Sequence, residues 1–460
     1  MSWIDRFIPS RKRKLRATIP QTADEAYHWV PATPPDPAKD ADLPALPRFQ
    51  STAGDQIDVH ELDRYAVIRS RLRRAYTPAQ PVSDRRMFAG RTEVLAALIR
   101  AIEDQRLHSI IYGERGIGKT SLLRVLAQAA EEARYLVVYI TCGAGSEFDE
   151  TMRAVTAKIP LMFHRDFGPI SPEGERGDNM ASILGPDAIT VSQAVDYLEK
   201  IEGTRVLVVL DEYDRARSDG FRRNVGELLK SLSDRAVRVQ FLIAGVAANL
   251  TELVENVPSI QRNVFALQLP RMTGAEIRNI IENGERVTEM PFDEAATHAV
   301  VARCIGFPYL ATMLSHRSAL TALERRHERV DVEDVDSATR DAVDEFRSRI
   351  LRHTQLQIEQ EIRKGNLGAL GVLGGAAQSA GDWFTLDDLA TPFADVGAFG
   401  LAKTLVDELV TDHVLLEARE DGFGRAYRFT EPSVPPYLWL RASEGNAFKP
   451  NPQQAPGDPD

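Results

Sequence analysis

Apolar runs and helical periodicities alternate through the middle of the chain. The apolar runs are short and typical of buried parallel strands, and stretches with helical spacing separate them. The predicted strands are Ser109–Tyr112, Tyr135–Thr141, Val206–Leu210, Val239–Ala244 and Val264–Leu269. The predicted helices between them are Lys119–Ala133, Phe148–Ile159, Val191–Ile201 and Phe221–Ser233. This order predicts an α/β fold, a parallel sheet with helices on both faces, interrupted by a long insertion loop at 163–190.

The pattern changes twice after the fifth predicted strand. From Thr273 to about Gln360 it is helical throughout, which predicts an all-helical domain. Three helices and a hairpin then follow, an order typical of a winged helix. The helices are expected at Leu367–Gln378, Leu386–Ala390 and Ala398–Thr411, and the strands at Val414–Ala418 and Ala426–Phe429. The apolar set Tyr437–Leu440 either packs in a core or docks on a neighbour.

A phosphate-binding motif, GERGIGKT, lies between the first predicted strand and the first helix of the sheet region. Its glycines let the loop wrap so that backbone N–H groups and the helix N-terminus point at phosphate oxygens. Lys119 is expected to reach the β and γ phosphates, and Thr120 to ligate magnesium. The sequence therefore predicts ATP and Mg²⁺ as cofactors. The predicted binding residues are Gly113, Glu114, Arg115, Gly116, Ile117, Gly118, Lys119, Thr120 and Ser121.

Two adjacent carboxylates end the third predicted strand. Asp211 can hold the metal or its waters beside the phosphate loop, while Glu212 can orient and polarise an attacking water. The pair predicts ATP hydrolysis, with Glu212 and Lys119 as catalytic residues. The next residues, Tyr213–Arg215, form either a solvated loop or a segment that couples the nucleotide state to a partner. No further metal cluster of His, Cys or Asp is predicted.

Taken together, these motifs resemble the AAA+ class of ATPases over about residues 86–345. Besides the phosphate loop and the strand VLVVLDE, the resemblance rests on MFAGRTE at 87–93 and SIQR at 259–262. Within the class, the sequence is most similar to origin-recognition-complex-like ATPases and to the signalling ATPases called STAND, with the transposition ATPase TniB a further relative. The resemblance implies that the helical domain is a lid, that Phe88 to Arg91 line the adenine side, and that Arg262 acts near the γ phosphate of a neighbouring subunit. The alternative interpretation is that Arg262 is an ordinary surface arginine in a salt bridge.

Two departures from the origin-type pattern bear on the mechanism. Where those proteins carry a lid arginine, this chain has Gly306-Phe307-Pro308-Tyr309, which resembles the GxP lid motif of the STAND branch. The fourth predicted strand ends without an immediate polar sensor, and Asn249 is the nearest candidate. We therefore expect slow hydrolysis and a nucleotide-state switch rather than a motor.

The charge balance bears on possible partners. Lys and Arg total 56 against 67 Asp and Glu, so nucleic-acid binding needs a local basic patch. Such patches occur at Arg11–Arg16 and at Arg69–Arg74. The alternative interpretation of the first patch is a solvated basic tail. Between His353 and Arg441, seven basic residues face thirteen acidic ones, which favours protein docking over DNA binding by the predicted winged helix.

Cysteine content and the absence of a spanning run indicate the compartment. Cys142 and Cys304 are the only cysteines and form no CxxC motif, which excludes a disulfide framework and a thiolate zinc site. No targeting or membrane-spanning segment is recognisable. A reducing, cytoplasmic location without integral membrane association is expected.

The complete prediction is an α/β fold, a P-loop NTPase parallel sheet with a helical lid domain and a C-terminal winged helix. The expected divisions are a disordered tail with a basic segment at 1–55, a helix and linker at 56–85, the P-loop ATPase core at 86–270, the lid at 271–360, a winged-helix-like domain at 361–442 and a disordered tail at 443–460. Three functions compete: an ATP-hydrolysing switch that assembles as a homo-oligomer or on an unidentified protein, an ATP-dependent DNA-binding regulator using the winged helix or the basic tail, and a scaffold that barely turns over.

Overall fold

The computed structural model describes most of the chain between residues 64 and 444. The described ranges are 64–78, 80–82, 87–168, 170–247, 250–253, 262–380, 383–389, 396–411, 414–421 and 424–444. The N-terminal tail with its basic segment, Asn249, residues 259–261 and residues 445–460 lie outside the described residues.

Five parallel strands form the central sheet, in the order β2-β3-β4-β1-β5. The strands are β1 (His108–Gly113), β2 (Leu136–Thr141), β3 (Val206–Asp211), β4 (Val239–Val246) and β5 (Val264–Gln268). Ile111 pairs with Ala244 on one side and with Leu267 on the other, so β1 lies inside the sheet. The predicted strands and the α/β class are confirmed.

Helices make up most of the remainder. They are α1 (Arg64–Ala75), α2 (Thr92–Glu103), α3 (Lys119–Glu132), α4 (Phe148–Thr156), α5 (Pro172–Glu175), α6 (Val191–Glu199), α7 (Asp219–Asp234), α8 (Leu250–Leu253), α9 (Gly274–Thr288), α10 (Glu294–Cys304), α11 (Pro308–Glu324), α12 (Val332–Ser348), α13 (Arg352–Arg363), α14 (Leu367–Ala380), α15 (Val396–Thr411) and α16 (Val434–Glu444).

The sheet separates two apolar cores because successive strand residues point to opposite faces. On β3, Leu207 and Val209 join the core that contains α2 and α3, whereas Val208 and Leu210 join the core of α4, α6 and α7. Helices therefore cover both faces, as predicted. The first core continues through α9–α12 into α14–α16, so the sheet, the helical domain and the C-terminal elements share apolar packing.

The predicted insertion loop is more ordered than its composition indicates. It contains α5 and a 3-10 turn at Met180–Ile183, and Met180 is fully buried. Ser171 and Asn179 cap these two elements by accepting backbone N–H bonds. Single buried apolar residues and helix caps stabilise these elements. They are difficult to recognise in a segment that is rich in Gly, Pro and Asp. The predicted insertion loop therefore contains two short helical elements within its described residues.

Helix α1 packs against the helical domain. Ile68 and Leu72 are buried, and the Tyr76 hydroxyl donates to the Ile281 carbonyl of α9 at 3.0 Å. Gly284 makes this approach possible, because a Cβ there would lie 2.0 Å from the Tyr76 ring and hydroxyl. The helix predicted in segment 56–85 is therefore docked on the expected lid.

The C-terminal section contains α14, α15 and an antiparallel hairpin, β6 (Leu416–Asp421) and β7 (Gly424–Phe429). The helix predicted at Leu386–Ala390 is wrong for its described residues: 385–389 form bends and a turn. Asp388 Oδ2 accepts from the Thr385 N–H and hydroxyl, so this side chain satisfies a local turn instead of a helix. The winged-helix assignment stays a prediction.

Helix α16 was missed, although its apolar residues were noted. It packs on α12 and α14, and Tyr437–Leu440 are buried, which confirms the core-packing interpretation. A Cβ on Gly374 of α14 would lie 2.7 Å from the Pro435 carbonyl, so the two helices touch backbone to backbone. Pro435 and Pro436 occupy the first turn of α16, where proline is compatible with a helix. The helix extends to Glu444, so the tail predicted at 443–460 begins too early.

Two expectations about the environment can be compared with the described residues. Among the helices in these ranges, none combines the length and the apolar character that crossing a bilayer requires. Cys142 and Cys304 are both buried free thiols.

Candidate functional site

The phosphate motif forms the loop between β1 and α3. Gly113, Gly116 and Gly118 have φ of +145°, +79° and +95°, conformations that residues with a Cβ rarely adopt. Gly118 is the N-cap of α3, and its lack of a side chain leaves the first helical N–H groups without a side-chain cap. The loop thus has the backbone geometry of an anion-binding site.

Lys119, the first residue of α3, is buried beneath this loop. Its Nζ donates to the Gly113 carbonyl at 2.8 Å and to the Glu114 carbonyl at 2.6 Å. Burial lowers the pKa of Lys119 to about 8, although the nearby carboxylates of Asp214 and Asp211 oppose this shift. The ammonium group therefore has loop carbonyls as partners that a bound phosphate can replace.

Asp211 ends β3 next to the loop and is 4% exposed. Its Oδ1 accepts from Thr120 Oγ1 at 3.3 Å and from the Glu212 N–H at 2.9 Å. Its Oδ2 accepts from the Tyr139 hydroxyl at 2.7 Å. Hydroxyl and carboxylate oxygens are the hard donors that Mg²⁺ prefers, so Thr120 and Asp211 fit the predicted metal.

Glu212 is the N-cap of a short 3-10 turn and adopts a left-handed conformation, φ 54°. Its carboxylate accepts from Arg215 Nη1 at 2.6 Å, and the two side chains are 43% and 62% exposed. The predicted water-polarising group therefore lines the same cleft as the loop but is paired with a cation.

The residues after Glu212 do not form a solvated loop. Tyr213 is buried, and Asp214 Oδ1 accepts from the Val246 N–H at 2.8 Å. This hydrogen bond connects the turn after β3 to the end of β4. The sequence analysis found no immediate polar sensor at the end of that strand. The spacing of three carboxylates within four residues, DEYD, was the available signal for this tie.

A cleft of about 410 Å³ opens above these groups. The phosphate loop and the acidic residues form one side of it, and the start of α11 forms another through Pro308, Tyr309 and Thr312. Thr77, Pro78 and residues 80–82 complete the wall, and the Val82 N–H donates to Ser121 Oγ at 3.1 Å. Sequence reasoning treated this last segment as a linker and missed its place at the site.

The GxP segment brings the helical domain to the phosphate loop. Gly306 has φ +74°, and a Cβ there would lie 2.5 Å from the Met272 carbonyl, so glycine is required for the close approach. Positions for a Cβ on Gly116 and Gly118 lie 4.0 Å from Phe307 and 3.5 Å from Pro308. The predicted lid motif therefore contacts the loop.

An ion pair joins the loop to the hinge between β5 and the helical domain. Arg271 Nη2 lies 3.1 Å from Glu114 Oε2, and its guanidinium stands 4.4 Å from the Phe307 ring centroid. Burial raises the pKa of Glu114 to about 7, against the opposing effect of Arg271. The Glu114 side chain is thus directed to the lid.

Arg91 lies close to the phosphate loop, and Phe88 is partly buried against the first apolar core. Arg91 is 6% exposed, its N–H donates to Glu276 Oε1 at 2.9 Å, and its Nη2 donates to the Pro270 carbonyl at 2.8 Å. Nη1 is buried without a hydrogen-bond partner, 3.6 Å from the Cβ position of Gly118. Burial lowers the pKa of Arg91 to about 10. Neither Arg91 nor Phe88 lines the cleft described above.

Arg262 is exposed and lies two residues before the start of β5. Because β5 runs parallel to β1 with Val264 opposite His108, Arg262 stands at the amino edge of the sheet. The phosphate loop follows the opposite, carboxyl edge, about 17 Å away along the strands. Arg262 is therefore not brought together with its own chain's site.

A second group of donors meets at the start of α12: His327, Asp331 and Asp334. The sequence predicted no such cluster. Asp331 and Asp334 each accept the other's backbone N–H in a capping box, and Arg325 pairs with Asp334 at 2.7 Å. These bonds account for the carboxylates as helix capping.

Comparison with known proteins gave one family. The family model described as novel STAND NTPase 1 matches residues 78–347. No curated protein matches the sequence.

Several solved structures are similar at low identity. The ORC2 protein of Aeropyrum pernix, in ADPNP and ADP complexes, is 15% identical to this chain. The match covers 81% of this chain and 99% of the ORC2 chain, with a TM-score of 0.41. Cdc6p of Pyrobaculum aerophilum is 14% identical over 82% and 98% of the two chains, with a TM-score of 0.43. The ORC1 protein of Aeropyrum pernix in complex with DNA is 18% identical over 80% and 95%, with a TM-score of 0.42.

Proposed function

Because this chain belongs to the novel STAND NTPase 1 family, we propose that it is an ATP-binding and ATP-hydrolysing switch that controls assembly with a partner. The observation that carries the proposal is the meeting of Lys119, Thr120 and Asp211 at the base of one cleft. A buried ammonium, a hydroxyl and a carboxylate beside a glycine loop are the groups that a nucleoside triphosphate with its metal requires.

Each of these groups has a proposed task in binding. The loop N–H groups and Lys119 bind the phosphates, with Lys119 exchanging its loop carbonyls for phosphate oxygens. Thr120 and Asp211 would hold Mg²⁺, which when bound neutralises charge on the phosphates. Residues 77, 78 and 80–82, together with Tyr309, supply the wall against which the base is proposed to lie, in place of Phe88.

Hydrolysis is assigned to Glu212, which lines the cleft beside Asp211. As a carboxylate it can accept a proton from an attacking water. Its ion pair with Arg215 competes with that role, because the paired carboxylate must leave the cation before it can receive the proton. This competition supports slow turnover and a switch rather than a motor.

The switch itself is proposed to run through the lid. Pro308 and Tyr309 line the cleft, and Arg271 links Glu114 of the loop to Phe307. The lid is in turn joined to the C-terminal elements, where Trp439 Nε1 of α16 donates to the Arg303 carbonyl at 2.9 Å. A change at the phosphates is thereby transmitted to the surface of the last helices.

Partners are proposed from the charged surfaces. Arg262, exposed at the amino edge, is proposed to act on a second copy of the chain, which makes the active form a homo-oligomer. The alternative of a DNA-binding regulator has less support, because Arg71 of α1 pairs with Glu289, and the hairpin's Arg425 and Arg428 pair with Asp407 and Glu417. A cytoplasmic location is proposed from the two free thiols.

The test of the proposed function is ATP binding by Lys119→Ala. Loss of the ammonium removes a charge-assisted contact to the phosphates, so the affinity for a fluorescent ATP analogue with Mg²⁺ is expected to fall at least about 30-fold. Lys230→Ala, at an exposed position of α7, is the matched control and is expected to bind like the unmutated protein. Equal affinity of Lys119→Ala and the unmutated protein contradicts the assignment.

The partner is sought with Glu212→Gln. This variant should keep ATP bound and so retain whatever the ATP state binds, whereas Lys119→Ala should not. A protein recovered with both variants does not depend on the nucleotide and contradicts the switch.

A further inference from the structure

Asp211, the carboxylate proposed to hold the metal, has a partner on the neighbouring strand that no sequence motif marks. Tyr139 lies on β2, which pairs with β3 so that Thr141 stands opposite Asp211. From two residues earlier in β2, the Tyr139 hydroxyl reaches Asp211 Oδ2 at 2.7 Å. The contact crosses between adjacent strands at the carboxyl edge, directly behind the candidate metal site.

The donors around Asp211 divide between its two oxygens. Oδ1 accepts from the Thr120 hydroxyl and from the Glu212 N–H, while Oδ2 accepts from Tyr139. The terminal torsion of an aspartate is broad, so a carboxylate held at one oxygen only can turn about its axis. Tyr139 fixes the second oxygen and thereby the plane of the group.

The tyrosine is itself held in place and stays a donor. The Arg124 guanidinium lies 5.5 Å from the centre of its ring. Burial first, and then the bond to Asp211, raise the pKa of the Tyr139 hydroxyl well above its usual value. A carboxylate has no proton to donate, so the Tyr139 hydroxyl is the donor in its bond to Asp211.

We propose that Tyr139 is a positioning residue for the nucleotide-bound Mg²⁺. By holding Oδ2 of Asp211, it keeps Oδ1 directed to Thr120, where the two oxygens would receive the metal. The inference rests on the proposed ATP function and adds to it a residue that touches neither the nucleotide nor the metal.

The role predicts a selective defect. Removing the hydroxyl leaves a buried carboxylate oxygen without its donor and frees the group to rotate. Removing such outer partners of metal ligands costs about 10–100-fold in metal affinity. Contacts between the phosphates and the loop N–H groups or Lys119 do not involve Tyr139, so binding of nucleotide without metal should be preserved.

The experiment compares Tyr139→Phe with Tyr135→Phe. Tyr135 immediately precedes β2, at the opposite edge of the sheet, so it is a matched control tyrosine next to the same strand. The affinity of the full chain for a fluorescent ATP analogue is measured in EDTA and over a range of Mg²⁺ concentrations. Tyr139→Phe is expected to need about 10–100-fold more Mg²⁺ for half of the Mg²⁺-dependent gain in affinity. Its affinity in EDTA, and both affinities of Tyr135→Phe, should match the unmutated protein.

A further variant separates the hydroxyl from the ring. Tyr139→Leu should shift the Mg²⁺ requirement as far as Tyr139→Phe does, because the hydroxyl carries the effect, and thermal unfolding in EDTA checks that both variants are folded. A shift with Leu but not with Phe would mean that ring packing matters and would overturn the inference. An unchanged Mg²⁺ requirement in Tyr139→Phe would overturn it as well. So would an unmutated protein whose affinity for the ATP analogue does not depend on Mg²⁺. Absence of ATP binding by the unmutated protein would instead contradict the proposed function.

Discussion

The buried ionisable side chains at the two edges of the sheet differ in their hydrogen-bond partners. At the carboxyl edge, the buried Lys119 donates to loop carbonyls that a bound phosphate can replace, and the buried Asp211 accepts from the Thr120 hydroxyl. At the amino edge, the buried His108 has both ring nitrogens occupied, by the Phe241 N–H and the Leu229 carbonyl. The carboxyl edge is therefore the one proposed to exchange hydrogen-bond partners with a ligand, whereas both ring nitrogens of His108 already have partners within the fold.

Arg262 differs from His108 because its side chain is exposed at the amino edge. If it serves a neighbouring subunit, Arg262→Ala should lower turnover about 10³-fold or more, because a cation at the γ phosphate stabilises the charge of the transition state. ATP affinity should stay near normal. Phosphate release measures turnover, and Arg238→Ala, an exposed arginine directly before β4 at the same edge, is the control.

Mixing variants distinguishes a shared site from a structural effect. Adding an excess of Glu212→Gln protein to Arg262→Ala should restore part of the activity, because the Ala variant keeps its own Glu212 and receives Arg262 from its neighbour. Specific activity of the unmutated protein should rise with concentration. Full activity of Arg262→Ala at every concentration would show that the amino edge has no catalytic part.

At the carboxyl edge, Glu212→Gln should slow turnover by about 10²–10⁴-fold, since an amide cannot take a proton from water as a carboxylate does. The affinity for ATP should hold, because Glu212 is not among the groups proposed to bind phosphate. Single-turnover hydrolysis and analogue binding measure the two effects separately, with Glu227→Gln on the exposed side of α7 as the control. A parallel fall of affinity and rate would make Glu212 a structural residue.

The closed character of the amino edge predicts a pH dependence of stability. Burial lowers the pKa of His108 to about 4. Above pH 6.5 the histidine is neutral in both states, whereas below it the unfolded chain takes up a proton that the folded chain does not. The free energy of unfolding should therefore decrease as the pH is lowered. The contribution of His108 to this decrease is about 2 kcal/mol between pH 7 and pH 5.

Urea unfolding at the two pH values measures this fall. His108→Gln should be less stable at pH 7 but show a smaller loss on acidification. His298→Gln, at an exposed position of α10, serves as the control. The same acid loss in His108→Gln and in the unmutated protein would show that another group carries it.

The smallest expected effect concerns the Arg215 ion pair. Arg215→Gln frees the Glu212 carboxylate, so we expect turnover to rise a few-fold, in keeping with the modest strength of an exposed pair. Steady-state phosphate release measures it, with Arg217→Gln as the control. Unchanged or reduced turnover would mean that Arg215 does not restrain the base.

Local patterns explain why so much of the carboxyl edge was predictable. The apolar run of β3 and the adjacent Asp211 and Glu212 are consecutive in sequence, and the phosphate loop is a contiguous motif. Parallel strands bring their carboxyl ends to one edge whatever the details of packing. The motif residues therefore met where the sequence predicted.

What escaped prediction depends on tertiary contacts. Residues 77, 78 and 80–82 line the cleft. Tyr76, just before them, is anchored on α9 in the space left by Gly284, and this partner is distant in sequence. Tyr139 meets Asp211 through strand register. Helix α16 is not predicted from the sequence, and two prolines occupy its first turn.

Hydrogen exchange tests the central claim, a switch at the carboxyl edge that reaches the lid, most directly. The full-length Glu212→Gln protein is compared with and without saturating ATP and Mg²⁺. We expect slower exchange in the phosphate loop, in residues 77, 78 and 80–82, in the first turn of α11 from Pro308, and in α16. The reason is that ATP closes the cleft that these elements line or support. ATP that binds and slows exchange in the phosphate loop alone, leaving the lid and α16 unchanged, would contradict it.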